Sequence, residues 1–537
     1  MYQYTHYNLN HINHINHIIH IKQPIHSFKA TRPQPNAKSY LHLLIPATAS
    51  NVQLCRLLYS AIVLDYPIPV IIDWNGQDEF DAAASHLAKI RGLLRYLDQL
   101  PSDRDNDLIL IVDAYDVFFQ LRPDVMIQRY FAINDAANQR LAVEHGWRTV
   151  IERSMRQTIL FGPDKLCWPE DYARAACWAV PESTLPKDAF GPDTDKPGEP
   201  LLARPRWLNS GTIMGPAKDL KDLFVATMEK INKTYNPESL TADSDQMYLA
   251  DVWADQEYIR SKFPSAFPSS AKMRREEAET TEPAESEEEI VPIIPNITTI
   301  ERTEYHIGLD YQSALFQTSA EYYPFVIWST YQQDHAARTA LDAFDNNTAP
   351  PTFDLPLDVA SSLPPLHAVQ SQISERSSSS DSYEQETARL QQDKSKSWTD
   401  LMLATNMVTK QVFSLFHATG DKSIRHKWFV RMWYFPYGEA LLKASVNVAS
   451  NQNPISETKF DGRTWWKAEK NETSSLKGEK GGAWADTGEW LTWDSMCADT
   501  EAVVFGREEP GEEEPPPEEL EPEQTEPEEP PREEVPP

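Results

Sequence analysis

The chain has 537 residues, 81 of them acidic and 50 basic, for a formal net charge of −31. That balance excludes a generally basic nucleic-acid binder, whose surface must attract phosphate, and no apolar run reaches the roughly 18 residues that a membrane-spanning helix needs. The length predicts two or three domains, or one large domain with insertions; a hydrophobic fraction of 40% suffices for a sizeable core, while 41 prolines put much of the chain outside it.

The charge is unevenly placed. Glu508 to Pro537 holds 14 Glu against one Arg, with 10 Pro, and Ala271 to Glu289 holds 8 Glu against one Lys and two Arg. Such segments repel themselves and cannot bury apolar area, so they read as disordered. The acidity is mostly a property of these stretches and says little about partners. The four cysteines, Cys55, Cys167, Cys177 and Cys497, show no CxxC spacing, which argues against a zinc cluster. One disulfide is compatible with them; whether Cys167 and Cys177 pair is left open by a ten-residue spacing of unknown geometry. Asn232, Asn296, Asn346 and Asn471 lie in N-x-S/T sequons, about the number chance gives.

In chain order, residues 1–38 read as a disordered leader. Its repeat His11-Ile12-Asn13-His14-Ile15-Asn16-His17 is of the histidine-rich kind that binds metal loosely, and it lacks the continuous apolar core of a signal peptide. Leu41 to Pro46 reads as a buried strand. Asn51 to Leu64 follows as a helix with Asn51 as N-cap, its Leu54, Leu57, Leu58, Ala61 and Ile62 at helical spacing. Pro69 to Asp73 is a second strand, His86 to Leu97 an amphipathic helix, and Leu108 to Val112 a third strand, apolar throughout as parallel central strands are. This alternation predicts a doubly wound α/β sheet. A less regular region runs through Trp168 and Trp178. Strand-like sequence returns at Trp207 to Met214 and a helix at Leu220 to Ile231, and Tyr305 to Gln317 reads as ordered. The expected organisation is an α/β domain over 39–350 with an acidic insertion at 268–298, a Ser/Pro-rich linker at 351–397, a segment 398–450 completing the domain, and a polar then acidic tail over 451–537, within which 451–506 takes no assignment.

The chemistry centres on Val112-Asp113-Ala114-Tyr115-Asp116-Val117, where two carboxylates follow a buried strand. Ligands of open α/β sheets bind outside the carboxyl ends of strands, and two hard oxygen ligands three residues apart on a turn can converge on one divalent cation. A strand-end Asp is also common as a plain cap. Asn209-Ser210-Gly211 sits in a strand-turn context. Asp243-Ser244-Asp245-Gln246 is a second acidic cluster, equally explained by a solvated helix start. His417-Ala418-Thr419-Gly420-Asp421-Lys422 combines a metal-ligand type, a turn residue and a phosphate-binding type.

These motifs together resemble the glycosyltransferase module of procollagen lysyl hydroxylases. Ile45-Pro46-Ala47-Thr48 is similar to that family's first strand and its Ala-Thr-Ala-like end, and Lys89-Ile90-Arg91 to the Lys-x-Arg of its second helix. The Asp113–Asp116 stretch resembles its Val-Asp-Ser-Tyr-Asp-Val metal motif, and the run from Phe161 to Pro169 its Phe-Ser-Ala-Glu followed by Cys-Trp-Pro. Leu208 to Gly211 matches its Leu-Asn-Ser-Gly, while Asp243 to Gln246 stands where the family has Asp-Asp-Asp-Gln. Leu309-Asp310 with Leu315-Phe316-Gln317, and then His417 to Gly420, resemble its later motifs in the same order. The arrangement also resembles that of fungal proteins built around such a module.

The resemblance implies a GT-A-like fold, a mixed but mostly parallel sheet flanked by helices, and a metal-dependent transfer of a hexose from a UDP-sugar, with manganese or another divalent cation, to a hydroxyl of a protein or glycan acceptor. It implies Asp113, Asp116 and His417 as metal ligands. It places Thr48, Lys89, Tyr115, Trp168 and Lys422 at the donor, Tyr115 stacking on uracil, the lysines on phosphate or ribose, and Trp168 walling the sugar pocket. It places Asn209, Asp243 and Asp245 at the reacting centre, one carboxylate as general base. It points to the ER or Golgi lumen. Two departures stand out: Ser244 replaces an acidic residue, and His417 lies farther from Gln317 than in the family, a gap that 351–397 fills. None of the 14 histidines is followed two residues later by Asp or Glu, so the facial triad of an iron oxygenase, and lysyl hydroxylation with it, is not expected. The alternatives are a non-catalytic nucleotide-sugar-binding module and an interaction protein acting through its acidic tail. Trp398, Trp428, Trp433, Trp465 and Trp466 suit either an acceptor surface or the core, the core being preferred for Trp428 and Trp433.

Overall fold

The computed structural model describes residues 38–76, 86–263, 291–297, 301–331, 354–367, 381–448, 453–468 and 478–510. The chain divides after Ala37, and every described residue belongs to the second unit. The expected leader, the His11–His17 repeat, most of the acidic insertion and the Glu/Pro-rich end lie outside the described residues.

Strand β1 (Lys38–Pro46) leads into helix α1 (Val52–Val63), whose first turn is capped by Asn51: its side chain accepts from the N–H groups of Gln53 and Leu54 at 2.9 and 3.0 Å. β2 (Val70–Ile72), α2 (Leu87–Gln99) and β3 (Leu108–Val112) follow. β1 and β3 are buried on both faces and alternate strictly. Leu41, Leu43, Ile45, Leu108, Leu110 and Val112 enter one core with α1, while Leu44, Ile109 and Ile111 enter another with α2 and the later helices. α2 earns its place through Leu87, Ile90, Leu93 and Leu97, spaced three or four apart on its buried side.

After β4 (Val117–Phe119) comes a long helix, α3 (Pro123–His145), which was not expected. It buries Asp124, Arg129, Asn134 and His145 among its apolar residues, and so shows no clean stripe. Two short helices, α4 (Trp147–Glu152) and α5 (Ala175–Trp178), flank β5 (Ile159–Asp164). Then follow β6 (Trp207–Pro216), α6 (Ala217–Thr234), α7 (Asp245–Arg260) and β7 (Ile307–Leu309). β8 (Phe316–Thr318), β9 (Val326–Ser329), β10 (Leu403–Asn406), β11 (Gln411–Val412) and β12 (Leu415–His417) form two small sheets, β4-β12-β8 and β11-β10-β9.

The last strands correct the sequence reading. β13 (Thr464–Lys467), β14 (Gly482–Ala485) and β15 (Trp490–Thr492) are not tail but part of the central nine-stranded sheet, whose order is β15-β14-β2-β1-β3-β6-β5-β7 with β13 also on β1. β13 pairs in parallel with the start of β1, Lys38 opposite Thr464, and β14 with β2. A disulfide joins Cys55 of α1 to Cys497, and a second joins Cys167 to Cys177. The stretch read as a linker is also partly built in: Val359, Leu366 and Leu390 are fully or almost fully buried in the core, two of them on the helices Leu357–Ala360 and Asp381–Asp393.

Most pairings in the central sheet are parallel (β13 and β2 on β1, β1 on β3, β14 on β2, β5 on β7), with β6 antiparallel between β3 and β5. This is the mixed, mostly parallel α/β sheet of a Rossmann-like GT-A fold. Among the described residues no helix is long and apolar enough to cross a membrane. Trp428 and Trp433 are core residues, as preferred; Trp398 and Trp465 are buried as well, and Trp466 is half-buried. None of the five forms an exposed surface.

Candidate active site

Three chain segments meet beyond the carboxyl end of β3. Asp113 leaves the sheet with its N–H donating to the Gly211 carbonyl of β6 at 2.8 Å. The turn through Asp116 then enters β4, which pairs antiparallel with β12, Val117 opposite His417. That register sets the imidazole beside the carboxylate, with Nε2 3.2 Å from Asp116 Oδ2. One ligand atom from each of Asp113, Asp116 and His417 lies within 4.8 Å of the others. β6 contributes the near wall. Its pairing with β5 shifts register between Phe161 and Gly162, opposite the stretch of β6 that carries Asn209, Ser210 and Gly211.

The residues fit a divalent cation on this structure's own terms. Two carboxylates and an imidazole form a donor set for manganese or a similar ion. Asp116 Oδ1 and His417 Nδ1 are buried without a hydrogen-bond partner, a costly state unless something else engages this cluster. Gly211 leaves the space open: a Cβ there would lie 2.2 Å from His417 Cε1 and 2.6 Å from Asp113 Oδ2.

Lysines surround the cluster. Lys89 of α2, buried, donates to Asp113 Oδ1 at 2.7 Å and to the Ser210 carbonyl at 2.9 Å, and pairs with Asp245 Oδ2 at 3.1 Å. Burial opposes its charge, but Asp113 and Asp245 outweigh burial and hold its proton well above the ordinary lysine range. Lys422 donates to Asp116 Oδ2 at 2.7 Å. Burial would raise the Asp116 pKa, yet His417 and Lys422 prevail and keep the carboxyl far below the usual range. Asp245 is likewise buried and likewise lowered, by Lys89 above all. Asp116 and Asp245 thus stay ionised.

The remaining expected residues divide. Asn209 is buried in the site, donating to Asp164 Oδ2 at 3.0 Å and accepting from the Gly211 N–H at 2.9 Å. Asp245 opens α7 and accepts from Ser210 Oγ at 3.3 Å. Tyr115 donates its hydroxyl to the Ala49 carbonyl at 2.9 Å, next to half-buried Thr48 at the end of β1. Trp168 is 50% exposed, in the loop closed by the Cys167–Cys177 bond. Asp243 does not join the cluster. It is exposed ahead of α7, where Tyr235 donates to it at 3.3 Å. Ser244 explains the departure at its position: it is the N-cap of α7, accepting from Met247 N–H at 3.3 Å.

Asp164 was not singled out from sequence, although it lies in the quoted Phe161–Pro169 run where the family has a Glu. It ends β5, almost fully buried, with Oδ1 lacking a partner. Burial pushes its pKa up, against the Asn209 hydrogen bond and the nearby His417. The alignment of one acidic residue with another was the signal available. Its neighbour Lys165 is 1% exposed. Its Nζ donates to the Leu201 carbonyl at 2.6 Å and lies 3.7, 4.4 and 4.6 Å from the ring centres of Phe190, Tyr322 and Phe325. It ties the loop before β6 to the segment after β8.

No protein-family model matches the chain. Over 231 residues it is 27% identical to a multifunctional procollagen lysine hydroxylase and glycosyltransferase of Caenorhabditis elegans, a stretch that is 42% of this chain and 24% of that protein. The chain is thus similar to about a quarter of this relative's length, a distant and partial homology to a protein named for glycosyl transfer.

Proposed function

We propose that this chain is a metal-dependent glycosyltransferase that moves a hexose from a UDP-sugar to a hydroxyl of a protein or glycan. The observation that carries the proposal is the convergence of Asp113, Asp116 and His417, with Lys89 and Lys422 against the two carboxylates, at the carboxyl ends of the sheet. The partial similarity to the nematode enzyme supports the same reading. A divalent cation such as manganese, held by Asp113, Asp116 and His417, would stabilise the charge that develops on the leaving diphosphate.

The chain's own groups supply the rest. Lys89 and Lys422 carry fixed positive charge where a diphosphate would lie, preorganised by their carboxylate partners. Tyr115, between β3 and β4, and Thr48, just after β1, would face the nucleoside. Asn209, its amide nitrogen donating to Asp164 and its oxygen accepting from the Gly211 N–H, orients Asp164. Asp245 pairs with Lys89, which lowers its pKa, whereas burial raises that of Asp164. Asp164 is therefore better placed than Asp243 or Asp245 to take the proton of an acceptor hydroxyl. The test is UDP release by the purified chain from UDP-glucose, UDP-galactose and UDP-N-acetylglucosamine, with and without manganese and acceptor hydroxyls. Manganese-dependent release from one donor supports the proposal; binding of UDP without turnover of any donor would leave a binding module in its place.

A further inference from the structure

We propose that Asn296 carries an N-linked glycan that covers the apolar strap Val291–Ile294. The sequon Asn296-Ile297-Thr298 follows directly on that strap. Val291, Ile293 and Ile294 are 75, 59 and 57% exposed, and the segment has neither helix nor strand. It is pinned to the loop of the Cys167–Cys177 bond, Ile293 N–H donating to the Ala173 carbonyl at 2.7 Å. Large aliphatic side chains grouped on a surface call for a cover, and a bulky hydrophilic group two residues on provides one. Asn296 itself is exposed.

The cysteines supply the second observation. All four are paired, Cys55 with Cys497 and Cys167 with Cys177. Disulfides persist in oxidising compartments, the same route on which N-x-S/T asparagines are modified. The other described sequon fits less well. Asn232 lies in the last turn of α6, and the hydroxyl of its Thr234 is engaged by the Lys230 carbonyl at 2.8 Å. At Asn296 the bond formed joins the amide nitrogen to the anomeric carbon of an oligosaccharide. The bond broken is that carbon's link to the diphosphate of a lipid-linked donor, which leaves as the lipid diphosphate and stays in the membrane, while the amide proton goes to solvent. The inference does not depend on the transfer reaction proposed above.

The test uses the full chain isolated from the cells that make it. Unreduced protein is alkylated, then treated with an N-glycan amidase in heavy-oxygen water and mapped by peptide mass. The expected result is no alkylated cysteine and a heavy-oxygen Asp at position 296. Asn296→Gln and Thr298→Ala should each lose one glycan and bind more of an apolar dye, while Asn232→Gln leaves the dye signal unchanged. A bare Asn296 in a chain with protected cysteines overturns the proposal, as do four free thiols. A glycan whose removal leaves dye binding unchanged overturns its covering role.

Discussion

Replacing Gly211 by alanine tests the site with one methyl group. The added Cβ would lie 2.2 Å from His417 Cε1, 2.6 Å from Asp113 Oδ2 and 2.7 Å from His417 Nε2. Non-bonded carbons settle at about 3.5–4.0 Å, so one partner must move by about 1 Å or more. The backbone cannot readily retreat, because the Gly211 carbonyl accepts the Asp113 N–H and the Gly211 N–H is held by Asn209. His417 is fixed in turn by its pairing with Val117. Overpacking of this kind costs about 1–3 kcal/mol of stability. Displacing one of three ligands should weaken metal binding by at least the roughly 10–100-fold seen when a supporting residue is lost. Thermal unfolding and a manganese titration followed by electron paramagnetic resonance read the two effects separately. A folded Gly211→Ala chain with the parent's melting temperature and manganese affinity would refute the geometry.

Further predictions follow from other parts of the molecule. Asp164→Asn keeps the shape and removes the base, so UDP-sugar turnover should fall about 10²–10⁴-fold while manganese-dependent UDP binding is retained. Lys165 is pushed down to about 7 by burial, from 10.5. Between pH 7 and 10 the unfolded chain therefore binds more protons at this group, and stability rises with pH. The gain totals up to about 5 kcal/mol, and Lys165→Met should flatten the rise measured by urea unfolding at pH 6 and pH 9. Cys497→Ser opens the bond to Cys55 and should cost about 2–5 kcal/mol in the same assay. A chain ending at residue 452 loses β13, β14 and β15 and should fail to yield soluble folded protein.

What the sequence disclosed follows the range of the forces involved. Leu108–Val112 announces a central strand because both of its faces are apolar, and Asp113 and Asp116 stand out because carboxylates directly after such a strand need a reason. The strands at 464–467, 482–485 and 490–492 carry no local signal. They are only three or four residues long, and their register is set by partners such as Lys38 opposite Thr464, far away in the chain. Helix α3 hides for a different reason: Arg129 on its buried side is satisfied by the Ala314 and Val412 carbonyls and by Asp358, pairings no window of sequence contains. At the site, Asp243 and Asp245 look alike in sequence. Burial and Lys89 separate them, and both are consequences of where α7 begins.

The central claim is that one cation on Asp113, Asp116 and His417 joins this chain to a nucleoside diphosphate. Calorimetric titration of UDP into the protein, with manganese and with a chelator, tests it most directly. Binding is expected only with manganese, and should be lost in a folded Asp113→Ala/Asp116→Ala chain. Equal binding with the chelator, or undiminished binding by the double variant, would contradict it.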